Sequence, residues 1–580
     1  MAATALWSIV LIAPQRGQRP RALRLQHTAG PTGLGLIRAA RCCGYQAFDF
    51  CHTIGVMTST TAIPCAQEEQ QSPGGRVAVL AIATVGFLAQ ILTAKRYGYF
   101  RDELYYVDCA RHLGWGYVDH PPLIALLTAL ELHIGGSSLY SLRFLPAIAA
   151  GLTVWLAGKM SRALGATVFG QALAALCVLL APGYLALFHL TTMNAFEPLF
   201  WTGCAYIVLR LVQTGNQKLW LWFGVLSGIG ILNKWSMLLV GGGVFVGLVL
   251  TPARAALKRK WAWLGLAIAM LIWLPNVIWN VQHHWPFLEL MHNVRHSGRD
   301  VTHGLIGFLV DQSVFMGIFS APIWMAGAWW LFFGRDRLTG TFGRYRILGW
   351  VWLFLLVFFI VAGGKSYYLW PIYPTLYAAG SVIAEEWSAA HAHWLRPVYV
   401  GLMVVAAAVL LPIFLPVLSP AALTAYQQKL HLSMPQVEHQ RNGPLNQQLY
   451  ADMFGWDEMA RETARAYYAL PPEIRAKTAI TGRGFGEAGA IDFFGPRYGL
   501  PAAISGHQTY WFWGPRGYTG ESLLMLGERE RRVHELCRNV DVVGHVSHPL
   551  SREDEHFDIY WCHPLKWDLH EIWPQAHHFD

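Results

Sequence analysis

Apolar runs long enough to cross a bilayer recur along most of this chain. An α-helix needs about 20 mostly apolar residues to span about 30 Å of hydrocarbon. Such runs fall at roughly 77–95, 139–158, 168–190, 195–213, 219–233, 236–251, 261–280, 304–333, 347–363, 367–384 and 397–418. That makes about 11 spans, or 12 to 13 if 304–333 is divided or 121–134 is added, so the expected class is a polytopic α-helical membrane protein. Only 14% of the 580 residues are charged, against about 25% in soluble domains. The 26 tryptophans suit a chain with two membrane–water interfaces to anchor. Disorder, collagen and coiled coil are excluded by the same composition.

The net charge of +9 would suit a nucleic-acid binder only if it were gathered in one patch. Here Lys and Arg stand in short clusters between apolar runs, so no nucleic-acid partner is expected and the charges report topology. With the start inside, Lys159, Arg162, Lys218, Arg254, Lys258, Arg259, Lys260, Arg335, Arg337, Arg344 and Arg346 all fall on the cytoplasmic side. The loops 96–138, 282–303 and 363–366 and everything after about residue 419 then face outward, which an odd number of spans satisfies.

Residues 419–580 differ in character: charges rise, and strand-like pieces at Lys477–Thr481 and Val540–Val546 alternate with turn clusters. They are expected to form a soluble α/β domain outside the cytoplasm, large enough for its own core. Cys537 and Cys562 would there be either a disulfide or buried free thiols. The nine cysteines include no CxxC pair and no zinc spacing. Residues 1–75, Arg-rich and without a helical or strand period, are expected to be disordered. Either they target the chain or translation begins at Met57. Cys42, Cys43, Cys51 and Cys65 lie in this stretch. The domains are therefore 1–75, a membrane domain 76–418 with the polar loop 96–138, and the tail 419–580.

That first outer loop is the most informative stretch. It carries Tyr99-Phe-Arg-Asp-Glu-Leu-Tyr-Tyr106 and Tyr117-Val-Asp-His-Pro-Pro-Leu123, and so gathers Arg101, Asp102, Glu103, Asp108, Arg111, Asp119 and His120 beside the bilayer. Carboxylates at a membrane face are functional candidates by default. The structural alternatives are an acidic helix N-terminus for Asp102 and Glu103 and a helix cap for Asp119 ahead of Pro121 and Pro122. Lys234, Lys365, Arg143, Arg295 and Arg299 lie at membrane depth or outside, against the topological bias. Singly, such cations snorkel to headgroups; together they would hold an anionic lipid phosphate. Glu197 either caps its helix ahead of Pro198 or joins the polar site. The histidines of Gln282-His-His-Trp285 lack a third ligand at metal spacing, so no metal site is expected there. Gly484-Phe-Gly-Glu-Ala-Gly489 matches a dinucleotide fingerprint, but no acidic residue stands cleanly at the end of a second strand. It reads better as a glycine-rich turn.

With Arg101-Asp-Glu103, Asp119-His-Pro-Pro-Leu123, Gly364-Lys-Ser-Tyr-Tyr-Leu-Trp-Pro371, Gly482-Arg-Gly-Phe-Gly-Glu-Ala-Gly489 and Phe494-Gly-Pro-Arg-Tyr498 in this order, the chain resembles the polytopic glycosyltransferases of the C-type fold. It is most similar to bacterial members of the protein O-mannosyltransferase superfamily, which includes the lipid A aminoarabinose transferase. The resemblance implies an enzyme of the bacterial inner membrane. It would take a sugar from a polyprenyl-phosphate carrier and transfer it to a lipid, polysaccharide or protein acceptor of the cell envelope on the outer face. It makes Asp102 the acid/base candidate with Glu103 beside it. It sets Lys365, Arg143, Lys234 and His120 at the donor phosphate, and Arg101, Asp119, Glu197, Tyr367 and Tyr368 in the substrate pocket. The aminoarabinose branch has a lysine where this chain has His120, which leaves the sugar open. No cofactor is implied, and a divalent metal is not indicated. The alternative from another class is a transporter or flippase of lipid-linked sugars, which would show inverted repeats; no internal repeat is evident.

Overall fold

The computed structural model describes residues 73–298, 301, 304–337, 339–432, 443–445 and 447–580. The expectations for residues 1–72, with Met57 and the early cysteines, and for Arg299 lie outside the described residues. Each of the eleven apolar runs is helical. Five helices are long and apolar enough to cross a membrane by themselves: α1 (Pro73–Thr93), α2 (Leu139–Ala163, in two pieces that break at Arg143), α3 (Met193–Thr214), α4 (Lys260–Gln282) and α5 (Leu395–Phe414). Two further pairs qualify only if a sharp bend is counted within one span: Met237–Val249 with Pro252–Lys258, and Leu305–Phe315 with Ile318–Phe333. The 304–333 run is thus not one straight helix. It turns by 100° at Gly317, whose φ of 91° is a left-handed value natural to glycine. The 367–384 run likewise opens as a tight 3-10 segment, Ser366–Ile372, before the α-helix Tyr373–His391 begins. Pro371 and Pro374 remove the amide donors that a continuous α-helix would use.

Burial separates inner from outer helices. In α3 61% of the most apolar window is buried, against 17% in α4 and in α5, whose outward faces carry Leu271, Trp263 and Val405 as a lipid-facing surface does. Close crossings are made by small residues. Ala321–Phe333 packs on Tyr373–His391 where Gly327 faces Leu376 and Gly380 faces Ile323, so tightly that a methyl group on either glycine would strike backbone. At the far end of Tyr373–His391, Glu385 caps a neighbouring helix, Val168–Leu179, by accepting from the Thr167 and Gly170 amides at 2.8 and 2.9 Å. Arg337 pairs with the same carboxylate at 3.3 Å.

The tail forms the expected α/β unit. Strands β1 (Thr478–Gly482), β2 (Ser522–Leu526), β3 (Val540–Val546) and β4 (Phe557–Cys562) make a sheet of order β1-β2-β4-β3. β1 and β2 are parallel and the other pairs antiparallel. Helices Trp456–Ala469 and Phe485–Phe494 belong to the same unit. Cys537 and Cys562 are joined as a disulfide. Glu555 lies buried beside Glu487, Arg552 and Arg101, and burial and then Glu487 push its carboxyl up from 4.5 to about 8. A proton held more tightly by the folded than by the unfolded chain favours folding below the lower value, and this stabilisation is lost as pH rises toward the higher. The variant Glu555→Gln is therefore expected to match wild type in thermal stability at pH 4–5 and to exceed it at pH 8–9. Parallel curves across that range would show that Glu555 does not titrate in this window.

Candidate functional site

The centre of the polar loop is a short helix, Arg101–Arg111, with Asp102 and Glu103 in its first turn and Arg111 in its last, as the helix dipole favours. Glu103 closes this helix start by accepting from the Phe100 amide at 2.9 Å. Its carboxylate is fully buried and reaches further, accepting from Arg143 Nε and Nη2 at 2.9 and 2.8 Å and from the Thr191 amide at 3.0 Å. Arg143 is also buried. Its remaining N–H groups point to the carbonyls of Ala94 and Gly98 and to His189. A guanidinium has five N–H donors, and all five are engaged within the protein. Arg143, expected at a donor phosphate, is in this structure an anchor, and Glu103 is its counter-ion rather than an approachable catalytic group.

Asp102 stands on the opposite, accessible side of the same turn, a third exposed, with Arg101 Nε 3.9 Å away. The Tyr106 phenol, one turn after Asp102, is pushed well up by burial and then by Asp102 and Asp119. The capping role for Asp119 is not observed, since the helix Leu123–Gly135 has no side-chain cap. Instead Asp119 accepts from the Tyr105 hydroxyl at 2.8 Å. His120 is wholly buried, stacked on Tyr117 at 4.5 Å, with Nδ1 2.9 Å from the Pro121 carbonyl. Burial pulls its proton affinity below the usual histidine range against the opposing pull of Asp119. The ring is therefore neutral, spends its one N–H on Pro121 and turns a lone pair at Nε2 toward Asp119, 4.0 Å away. That arrangement does not suit the expected contact with a phosphate, whose oxygens need donors.

Residues of the tail complete the loop. Thr509 Oγ1 lies 2.7 Å from the Tyr105 hydroxyl and accepts from the Val118 amide at 3.1 Å. Tyr510 donates to Asp108, and Arg111 bridges Asp108 and the Asp492 carbonyl at 3.0 Å each. Burial raises both Asp108 and Asp492 above the ordinary carboxylate range, and for Asp108 the nearby Asp492 adds to it. The helix Phe485–Phe494 lies directly on Arg101–Arg111. A methyl group at Gly486 would sit 2.8 Å from the Arg101 side chain, and one at Gly489 3.2 Å from Leu104 Cβ. The G-x-G-x-x-G pattern thus serves close helix packing in a glycine-rich turn. Arg101 also lies over the Phe485 ring at 4.8 Å.

A second cluster gathers residues far apart in the chain. Lys234 Nζ donates to Asn194 at 2.6 Å and to Glu197 at 2.9 Å, and it faces the rings of Tyr368 and Tyr367 at 4.7 and 5.8 Å. Ser236 donates to the other oxygen of Glu197. Glu197 therefore belongs to the polar site instead of capping its helix. Lys365 directly precedes the 3-10 segment that presents Tyr367 and Tyr368. The two clusters are joined through Glu103, because Thr191, which Glu103 holds, immediately precedes the helix start that carries Asn194 and Glu197. Arg295 is exposed on the separate helix Pro286–Ser297.

Among the described residues, His507, His578 and Asp580 place ligand atoms within 4.8 Å of one another. The Phe485 amide donates to His507 Nδ1 at 3.0 Å, which puts the proton of the neutral ring on Nε2, facing Asp580 at 3.0 Å. A metal ligand needs a lone pair at that atom, so the group closes as hydrogen bonds. Sequence reasoning did not reach Tyr105, Thr509, Tyr510, Asp492, Asn194 or Ser236. Their partners lie up to 404 residues away, and no spacing signals such pairs.

A family model described as dolichyl-phosphate-mannose-protein mannosyltransferase matches residues 119–279. The lipid A galacturonosyltransferase RgtD of Rhizobium johnstonii is 27% identical over 294 residues, covering 49% of this chain and 60% of that protein. The chain thus spans less than two thirds of that relative. Among solved structures, ArnT from Cupriavidus metallidurans bound to undecaprenyl phosphate superposes with a TM-score of 0.52 at 15% identity, over 84% of this chain and 98% of that one. Its apo form gives 0.54 at 14% identity, over 83% and 97%.

Proposed function

We propose that this chain, a multi-pass membrane glycosyltransferase of the C-type fold, takes a sugar from a polyprenyl-phosphate carrier and passes it to a hydroxyl of an envelope acceptor on the outer face of the bacterial inner membrane. The observation that carries this reading is the division of the site: an approachable carboxylate, Asp102, on the loop helix, and a lysine–tyrosine cluster locked to that helix through Glu103 and Thr191. Asp102 accepts the proton of the acceptor hydroxyl as that oxygen attacks the anomeric carbon, the step at which a positioned carboxylate helps most. The departing polyprenyl phosphate needs no proton, only cations to receive its charge. Lys234 has three N–H donors and spends two on Asn194 and Glu197, which leaves one for a phosphate oxygen. Lys365 directly precedes the 3-10 segment whose Tyr367 and Tyr368 form the wall facing Lys234. Arg101 and Asp119 border the acceptor side. The solved neighbour binds undecaprenyl phosphate and the curated relative is named for lipid A, so an undecaprenyl-phosphate sugar and a lipid A-type acceptor are the first pair to try.

The test is transfer of label from a panel of radiolabelled polyprenyl-phosphate sugars to an envelope fraction by purified protein in lipid. Transfer supports the reading. Movement of the lipid-linked sugar across vesicles with no transfer would replace it with the transporter. In the same assay Lys234→Gln is expected to raise the donor KM about 10- to 100-fold, the worth of one charge-assisted hydrogen bond, with a smaller effect on acceptor KM. An unchanged donor KM would remove Lys234 from the phosphate site.

A further inference from the structure

We infer that Thr509, in the C-terminal domain, is a positioning residue for the acceptor side of the site, acting through Tyr105 on Asp119; the inference rests on the transferase reading above. The Val118 amide can only donate, and it meets Thr509 Oγ1 at 3.1 Å. At the other end the Asp119 carboxylate accepts from the Tyr105 hydroxyl at 2.8 Å. Between these ends, Thr509 Oγ1 and Tyr105 Oη are 2.7 Å apart. One direction satisfies all three contacts: Val118 N–H to Thr509, Thr509 O–H to Tyr105, Tyr105 O–H to Asp119. A second donor, the Thr509 amide, lies 3.4 Å from the Tyr105 oxygen. Thr509 and Tyr105 are both buried. Hydrogen bonds aligned in one direction in a dry setting strengthen one another, so the chain fixes which Asp119 oxygen faces inward. The fully buried His120 has its Nε2 4.0 Å from the same Asp119 oxygen and makes no hydrogen bond to it. The hold on Asp119 through Tyr105 thus begins in the C-terminal domain, at Thr509.

Thr509→Val keeps the shape and removes the hydroxyl. It is expected to lower kcat for sugar transfer about 5- to 10-fold, the worth of a buried hydrogen bond, with donor KM unchanged, while Thr509→Ser restores most of the rate. Tyr105→Phe removes the next link, and the double variant Thr509→Val/Tyr105→Phe is expected to be no slower than Tyr105→Phe alone, because the two act in series. Rates are taken per folded protein, with thermal unfolding followed for each variant. A Thr509→Val enzyme with wild-type kcat, a serine variant as slow as the valine one, or losses that multiply in the double variant would each overturn the inference while leaving the transferase reading intact. A wild-type protein that transfers no sugar from any donor would overturn both.

Discussion

Asp102→Asn is expected to cut kcat for sugar transfer about 10²- to 10⁴-fold, the range for removal of a positioned general base, while donor binding and thermal unfolding stay close to wild type. The expectation comes from contrast within one turn of helix. Glu103 is sealed under Arg143, Phe100 and Thr191, whereas Asp102 is a third exposed beside Arg101. Of the two adjacent carboxylates, only Asp102 can meet a substrate without dismantling the fold. An amide is nearly isosteric with the carboxylate, so lost folding is not the anticipated route to lost rate. Transfer that survives Asp102→Asn would leave Asp119 as the carboxylate to examine, through Asp119→Asn in the same assay.

The second large effect is on stability. Arg143→Met is expected to cost about 3–5 kcal/mol, because it leaves the Glu103 carboxylate buried without its partner. Thermal unfolding of the purified protein in lipid would show this as a large drop in Tm or as failure to recover folded protein. Replacing both partners, in Arg143→Met/Glu103→Gln, is expected to recover part of the loss, since no uncompensated charge is then buried. A phosphate-binding Arg143 predicts a different outcome: a normally folded Arg143→Met protein with a raised donor KM. That outcome would show that the five internal hydrogen bonds of the guanidinium matter less than its charge.

Much of the architecture could be read from residue patterns alone, because membrane thickness and backbone hydrogen bonding leave a spanning chain few choices. All eleven apolar runs are helical, β3 falls on Val540–Val546, and β1 lies one residue beyond Lys477–Thr481. Straightness was not readable, since the bend at Gly317 and the 3-10 start at Ser366 depend on tertiary neighbours as well as on Gly and Pro. In the site, residue types and placement brought forward Asp102, Asp119, Lys234 and Glu197, the resemblance added Tyr367 and Tyr368, and the fold puts the last four in one cluster. Arg143 and His120 were assigned by charge and by resemblance, and in the structure both side chains are buried among groups of their own protein. An arginine at the start of an apolar run looks the same whether it meets a lipid phosphate or four residues of its own protein. Thr509 could not have been found at all, because its role comes from a contact across the whole length of the chain.

That contact sets a schedule for biosynthesis. The loop helix is made early, while Thr509 lies 404 residues after Tyr105. At about 5–20 residues per second, the loop waits about 20–80 s for the segment that supports Asp119 and Asp108. Membrane insertion of the helices is therefore not the step that makes the protein competent. Until the C-terminal segment has been made and has folded onto Arg101–Arg111, the loop lacks the tail contacts that hold Tyr105 and Asp108 in place.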